Sequence, residues 1–136
     1  MAFRAYIVED SPTIRDNLIE TLQELAEVEP VGTAETESEG KQWLAANDGY
    51  WDLAIVDLFL KQGSGLGVLE ACQQRASGQR VVVLSNYATT DMRKRCLQLG
   101  ADAERKVLDV ANAMDRVVAP VKVIVADEEQ IGRAHV

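Results

Sequence analysis

Acidic side chains stand at the ends of two apolar runs: Glu9 and Asp10 follow Ala5-Tyr6-Ile7-Val8, and Asp57 follows Leu53-Ala54-Ile55-Val56. A hydroxyl, Ser85, closes a third run from Arg80 to Leu84, and Lys106 lies in or just after a short segment that starts at Ala103. If these runs are neighbouring strands of one parallel sheet, all of these side chains open onto a single edge. Three carboxylates gathered there repel one another unless a cation is present, and Mg2+ is the hard ion that accepts a few carboxylates while keeping several waters. Metal-assisted phosphoryl transfer is the chemistry this pattern suggests. In it Asp57 is the nucleophile and forms an acyl phosphate. Mg2+ and Lys106 neutralise charge on the transferring group, and Ser85 donates a hydrogen bond to a phosphoryl oxygen. Plainer roles exist for some neighbours: Glu9 and Asp10 suit the positive end of a helix, and Gly63, Gly65 and Gly67 read first as turn residues. Arg93, Lys94 and Arg95 read as solvated cations near a helix C-terminus, and Trp43, Trp51, Cys72 and Cys96 as packing residues.

The elements that must position these groups alternate along the chain. The first apolar run is a strand, and Ser11-Pro12 supplies an N-cap and a first-turn proline for a helix. Ile14, Leu18, Leu22 and Leu25 give that helix one apolar stripe, and Pro30 bounds its end. Val31 to Ala34 reads as a second strand. Thr36 and Glu39 have capping-box spacing for a helix carrying Trp43 and Leu44, which ends near Asn47 to Gly49. Leu53 to Val56 is apolar without alternation, as a strand covered on both faces should be. The glycine-rich turn from Lys61 to Gly67 leads to a helix with Leu66, Leu69 and Cys72. The strand Arg80 to Leu84 precedes a helix with Met92, Cys96 and Leu99, which Gly100 terminates. Ala103 to Lys106 is the expected fifth strand, and Asp109 caps a helix carrying Val110, Met114, Val117 and Val118. Five strand–helix units predict a doubly wound α/β domain, a parallel sheet with helices on both faces and its ligand site beyond the carboxyl ends of the strands.

Bulk properties narrow the function. A chain of 136 residues, 47% hydrophobic and 26% charged, has the size and balance of one domain. No stretch reaches the length of a bilayer span and no signal-peptide pattern opens the chain, so a cytoplasmic location with no membrane association is expected. The two cysteines form no CxxC pair. A net charge of −8 argues against direct nucleic-acid binding, and the single His135, almost at the C-terminus, leaves little basis for a Ser-His-Asp triad or a histidine metal site.

The motifs Ile7-Val8-Glu9-Asp10-Ser11, Val56-Asp57-Leu58, Gly63-x-Gly65-x-Gly67, Val83-Leu84-Ser85-Asn86-Tyr87-Ala88 and Leu99-Gly100-Ala101-Asp102 resemble, in order and spacing, those of response-regulator receiver domains. The resemblance runs over about residues 3 to 119. It implies a flavodoxin-like fold with strand order 2-1-3-4-5, a receiver domain over 1–120, and an extension or linker remnant over 121–136. It also implies that Asp57 accepts a phosphoryl group from a sensor histidine kinase or phosphotransfer protein. Glu9, Asp10, Asp57 and the backbone carbonyl of Phe59 would hold Mg2+, with Ser85 as the switch hydroxyl and Lys106 as the phosphate-binding lysine. A downstream effector protein and a homodimer are further implied partners.

The sequence departs from that family in its fifth unit. The interval between Asp102 and Lys106 is one residue shorter than usual. Ala103 takes the position of the aromatic switch residue, and Val107 follows the lysine where proline, serine or threonine is customary. Arg105 is therefore an alternative cation to Lys106. Asn86, Tyr87 and Phe59 crowd the expected phosphoryl position and suggest a long-lived acyl phosphate, although Tyr87 serves equally well as a packing or partner-contact residue. Two rival readings are a degenerate receiver that binds partners without phosphorylation and a phosphohydrolase of the haloacid dehalogenase type. The second needs an aspartate two residues beyond the nucleophile, where this chain has Phe59. The run Val121 to Ala126 fits an extra strand, a dimer contact or part of a linker.

Overall fold

A computed structural model describes residues 3–24, 28–76, 78–85, 90–100 and 122–123. The strands are β1 (Phe3–Val8), β2 (Val28–Ala34), β3 (Leu53–Asp57), β4 (Arg80–Ser85) and β5 (Lys122–Val123). The helices are α1 (Pro12–Glu24), α2 (Glu37–Ala46), α3 (Gly65–Ala71) and α4 (Thr90–Gln98). They form one five-stranded sheet in the order β2-β1-β3-β4-β5, in which the first four strands follow the expected order 2-1-3-4. β1 to β4 are parallel, as alternation with helices requires. Beside β4 lies a piece of the tail, and the expected strand Ala103 to Lys106 lies outside the described residues. Lys122–Val123, two residues of the apolar tail run, pairs antiparallel with Leu84 and Ser85. The expected helix from Asp109 also lies outside the described residues.

The central strands are apolar because they are covered on both faces. Ala5 to Val8, Leu53 to Val56 and Val81 to Val83 are all buried. Alternate side chains of β1 serve opposite layers. Tyr6 stacks on Trp43 of α2 with ring centroids 3.8 Å apart and planes 6° from parallel. The other layer receives α1, whose Leu18, Thr21 and Leu22 are buried.

Two details of the sequence reading change. Pro30 does not stand at the end of α1 but inside β2, opposite Ala5, just where the pairing with β1 slips so that Tyr6 faces Gly32. An edge strand tolerates proline at such an irregularity because the missing N–H has no ladder partner to serve. Gly32 leaves room for the Trp43 ring that stacks on Tyr6, since a Cβ there would lie 2.7 Å from Trp43 Nε1. Gly65 and Gly67, read first as turn residues, belong to α3, and of the three loop glycines only Gly63 has a positive φ, +83°. Gly65 is needed for close approach: a Cβ there would strike the carbonyl oxygen of Asp57 and lie 2.8 Å from Leu58 Cα.

The capping signals behave as expected. Thr36 Oγ1 accepts from Glu39 N–H at 3.1 Å, and Asn47 caps the other end of α2. Ser11 Oγ accepts from Ile14 N–H at 3.4 Å. Arg75, beyond α3, donates to the carbonyls of Cys72, Gln79 and Gly100, at 2.9, 3.0 and 2.5 Å, and so ties the ends of α3 and α4 to the start of β4.

Because the obstacle at Gly65 is backbone, it cannot rotate aside. Gly65→Ala is expected to lower unfolding free energy by about 1–3 kcal/mol in urea titration. Gly78→Ala, with nothing within 4 Å of the new methyl, should leave it nearly unchanged.

Candidate phosphoacceptor and metal site

Glu9 and Asp10 leave the carboxyl end of β1, and Asp57 ends β3 alongside. Register pairing of Ile7 with Ile55 and Val8 with Val56 makes the three acidic residues neighbours. One carboxylate oxygen from each lies within 4.8 Å of the others. Asp57 in turn is opposite Leu84, which puts the backbone of Ser85 one residue beyond it on β4. The sheet therefore brings Glu9, Asp10, Asp57 and Ser85 to one edge, as the sequence predicts. Lys106 and its alternative Arg105 lie outside the described residues, as do Asn86, Tyr87 and Ala103.

The three carboxylates are not equivalent. Glu9 is 1% exposed. Its Oε2 accepts the Ser11 N–H at 3.1 Å, whereas Oε1 is buried with no hydrogen-bond partner. Burial first, and then the nearby Asp57 and Asp10, push its pKa up to about 8, against the Ser11 hydrogen bond. Asp57 is also raised, chiefly by burial and further by Asp10, while Glu9 and the N–H groups of Phe59 and Leu58 oppose the rise. Phe59 N–H reaches Asp57 Oδ1 at 3.3 Å. Asp10 instead accepts the Lys61 N–H at 2.6 Å, so it anchors the loop after Asp57 as well as joining the cluster.

A buried anionic oxygen without a donor, beside two more carboxylates, is costly in a protein interior unless a proton or a cation neutralises it. The donor set is all oxygen, which suits a hard divalent ion and not zinc or copper. The residues present thus fit Mg2+, with Glu9, Asp10 and Asp57 as ligand sources. Phe59, whose N–H bonds to Asp57, is half exposed.

The loop from Leu58 to Ser64 is tightly bound. Gly65 N–H donates to Leu58 O at 2.9 Å, Phe59 and Ser64 form an isolated antiparallel bridge, and Ser64 Oγ caps α3 by accepting Leu66 N–H at 3.1 Å. Sequence reasoning missed one participant. Glu37, at the start of α2, accepts the Ser64 N–H at 2.8 Å. Its acidic side chain in a first helical turn is so common that nothing in the sequence singled it out.

A model of the response regulator receiver domain matches residues 5–104. The chain is 29% identical over 120 residues to the response regulator protein PilR of Pseudomonas aeruginosa, covering 88% of this chain and 26% of PilR. It therefore spans about a quarter of the length of that relative. The response regulator domain of Thermotoga maritima CheB is similar in structure, with a TM-score of 0.68 at 17% identity, covering 85% of this chain and 98% of that one. The CheX-CheY-BeF3-Mg+2 complex from Borrelia burgdorferi gives a TM-score of 0.68 at 22% identity, with coverage of 79% and 85%. At these identities the two structures establish likeness of fold.

The raised pKa of Glu9 has a definite sign for stability. A carboxyl that binds its proton more tightly folded than unfolded stabilises the fold at low pH, and that contribution is lost as pH rises through the folded pKa. Without metal, the melting temperature is expected to fall between about pH 4.5 and about 8. Glu9→Gln should flatten that slope, and so should saturating Mg2+ in the wild type. Differential scanning calorimetry across the range provides the check.

Proposed function

The chain belongs to the response-regulator receiver domain family of two-component systems, and on that premise we propose that it is a phosphoacceptor switch acting through Asp57. The phosphoryl group would come from a sensor histidine kinase or a phosphotransfer protein. The observation that carries this reading is the cluster of Glu9, Asp10 and Asp57 within 4.8 Å, with a buried Glu9 oxygen that has no donor. An acidic pocket of this kind is typical of Mg2+-binding receivers, and the Borrelia complex contains Mg2+ in its CheX–CheY assembly.

In the proposed reaction an Asp57 carboxylate oxygen forms a bond to phosphorus, the bond from phosphorus to the donor breaks, and the donor keeps that electron pair. Bound Mg2+ would supply positive charge against the transferring phosphoryl oxygens. Asp57 is held for attack by the Phe59 N–H on Oδ1, which leaves its orientation fixed by backbone. Asp10 and Glu9, with Asp57 and the Phe59 carbonyl, are the proposed metal ligands. Ser85 is the proposed hydroxyl that meets the phosphoryl group, because the register of β4 sets it next to the Asp57–Leu84 pair. Lys106 is the proposed counter-cation and Arg105 its alternative.

Phosphorylation adds roughly −1.5 to −2 charge and three acceptor oxygens at the carboxyl edge of the sheet. Drawing Ser85 toward those oxygens would change the end of β4, and a downstream effector protein or a second copy of the chain would read that change. Among the described residues no helix is long and apolar enough to cross a membrane.

Incubation with Mg2+ and acetyl phosphate followed by intact-mass spectrometry tests the reading. A single phosphoryl adduct is expected, absent in Asp57→Asn and absent without Mg2+. Lys106→Ala should slow its formation by about tenfold or more, since an oriented charge of this kind contributes on the order of 10²–10³ in rate; if Arg105→Ala alone does so, the cation is Arg105. Mg2+ binding with no adduct would favour the phosphorylation-independent binding module instead.

A further inference from the structure

The loop after Asp57 is gripped from two sides. On the side of β1, Asp10 accepts the Lys61 N–H. On the side of α2, Glu37 makes two hydrogen bonds to the loop. Its backbone N–H donates to Gln62 O at 3.2 Å, and its carboxylate accepts the Ser64 N–H at 2.8 Å. The carboxylate also pairs with Lys41 Nζ at 2.9 Å, one turn along the helix. The hydrogen bonds from Lys41 and Ser64 hold its carboxyl below the usual range, so it stays ionised at neutral pH.

Two glycines make this contact possible. A Cβ on Gly67 would lie 2.6 Å from each Glu37 carboxylate oxygen, and a Cβ on Gly63 would strike the Glu37 Cβ. Glu37 therefore occupies the space that side chains at 63 and 67 would take, and it lies over the loop as a cover. Only 28% of its side chain is exposed. The loop beneath it carries Phe59, whose N–H holds Asp57 and whose carbonyl is a proposed metal ligand, and it ends at Gly65 against the Asp57 backbone.

We propose that Glu37 is a positioning residue for the phosphoacceptor site: by bonding to Ser64 over Gly63 and Gly67 it fixes the loop bearing Phe59, and so sets Mg2+ affinity and the rate of phosphoryl uptake. The inference rests on the reading of Asp57 as phosphoacceptor. Glu37 itself touches neither the cluster nor the reacting atoms, and acts through the backbone of the loop.

The test compares Glu37→Ala, Glu37→Gln, Lys41→Ala and Gly67→Ala in three measurements. These are amide hydrogen exchange over residues 58–67 without metal, Mg2+ affinity by calorimetry, and the rate of adduct formation with acetyl phosphate. Loss of one charge-assisted hydrogen bond corresponds to about tenfold. Glu37→Ala is expected to speed exchange in the loop by about that factor, and to weaken Mg2+ binding and slow phosphorylation by about fivefold or more. Glu37→Gln keeps an oxygen for the Ser64 N–H and should recover to within about twofold of wild type. Lys41→Ala, which leaves that bond in place, should do the same. Gly67→Ala keeps Glu37 but displaces its carboxylate, and should reproduce the alanine phenotype, which decides the matter if Glu37→Ala fails to fold. A folded Glu37→Ala or Gly67→Ala with a lower melting temperature but unaltered Mg2+ affinity and phosphorylation rate would overturn the proposal. If the wild type itself forms no adduct, the phosphoacceptor reading fails separately, while loop exchange and Mg2+ affinity still decide the role of Glu37.

Discussion

Glu9 follows the buried run Ala5 to Val8 with one oxygen on a backbone N–H and the other without a hydrogen-bond partner, while Asp57 and Asp10 lie within 4.8 Å. An ionised carboxylate so placed carries a desolvation penalty of several kcal/mol, and its neighbours add repulsion. The arrangement is tolerable because the fold offers other partners to the remaining oxygens: Phe59 N–H for Asp57 and Lys61 N–H for Asp10. What those contacts leave uncompensated is the demand for a proton or a cation. A domain optimised only for stability would have no use for such a cluster.

The same demand explains the loop after Asp57. To present N–H groups to Asp57 and Asp10 within five residues, the chain must turn sharply and return to the sheet, and the return passes so near Asp57 that only glycine fits at 65. A turn of that shape leaves the Ser64 N–H facing α2, where the Glu37 carboxylate receives it at 2.8 Å. Thr36 caps the same helical turn through Glu39. One short stretch, from Thr36 to Glu39, thus both starts a helix and clamps the loop that supports the acidic site.

Much of this was legible in the sequence because it is carried by patterns local to the chain. Uniformly apolar runs at Ala5–Val8, Leu53–Val56 and Val81–Leu84 mark the central strands. The acidic residues directly after two of them gave the cluster, since strand ends in a parallel sheet share an edge. The Ser11 and Thr36 caps and the end of α4 at Gly100 could likewise be read from residue types. What escaped the reading depends on contacts between distant segments. Pro30 within β2 is acceptable only because that strand is an edge that slips against β1. The demand at Gly65 comes from the backbone of Asp57, and the demand at Gly67 from Glu37, neither visible in a glycine-rich string. Glu37 looked like any acidic residue in a first helical turn, and its partner lies 27 positions away.

The strands that carry the acidic cluster are themselves firmly placed. β1 is paired over six positions with β2, and Tyr6 is stacked under α2, so backbone and packing both hold it. β3 pairs with β1 over four positions and with β4 over five, the last of them Asp57 opposite Leu84. Carboxylates at the ends of strands held in this way keep a narrower geometry than the same groups on a free loop. The demand for a proton or a cation therefore falls on a preset arrangement of oxygens, so the energetic conflict at Glu9 is not relieved by the cluster drifting apart.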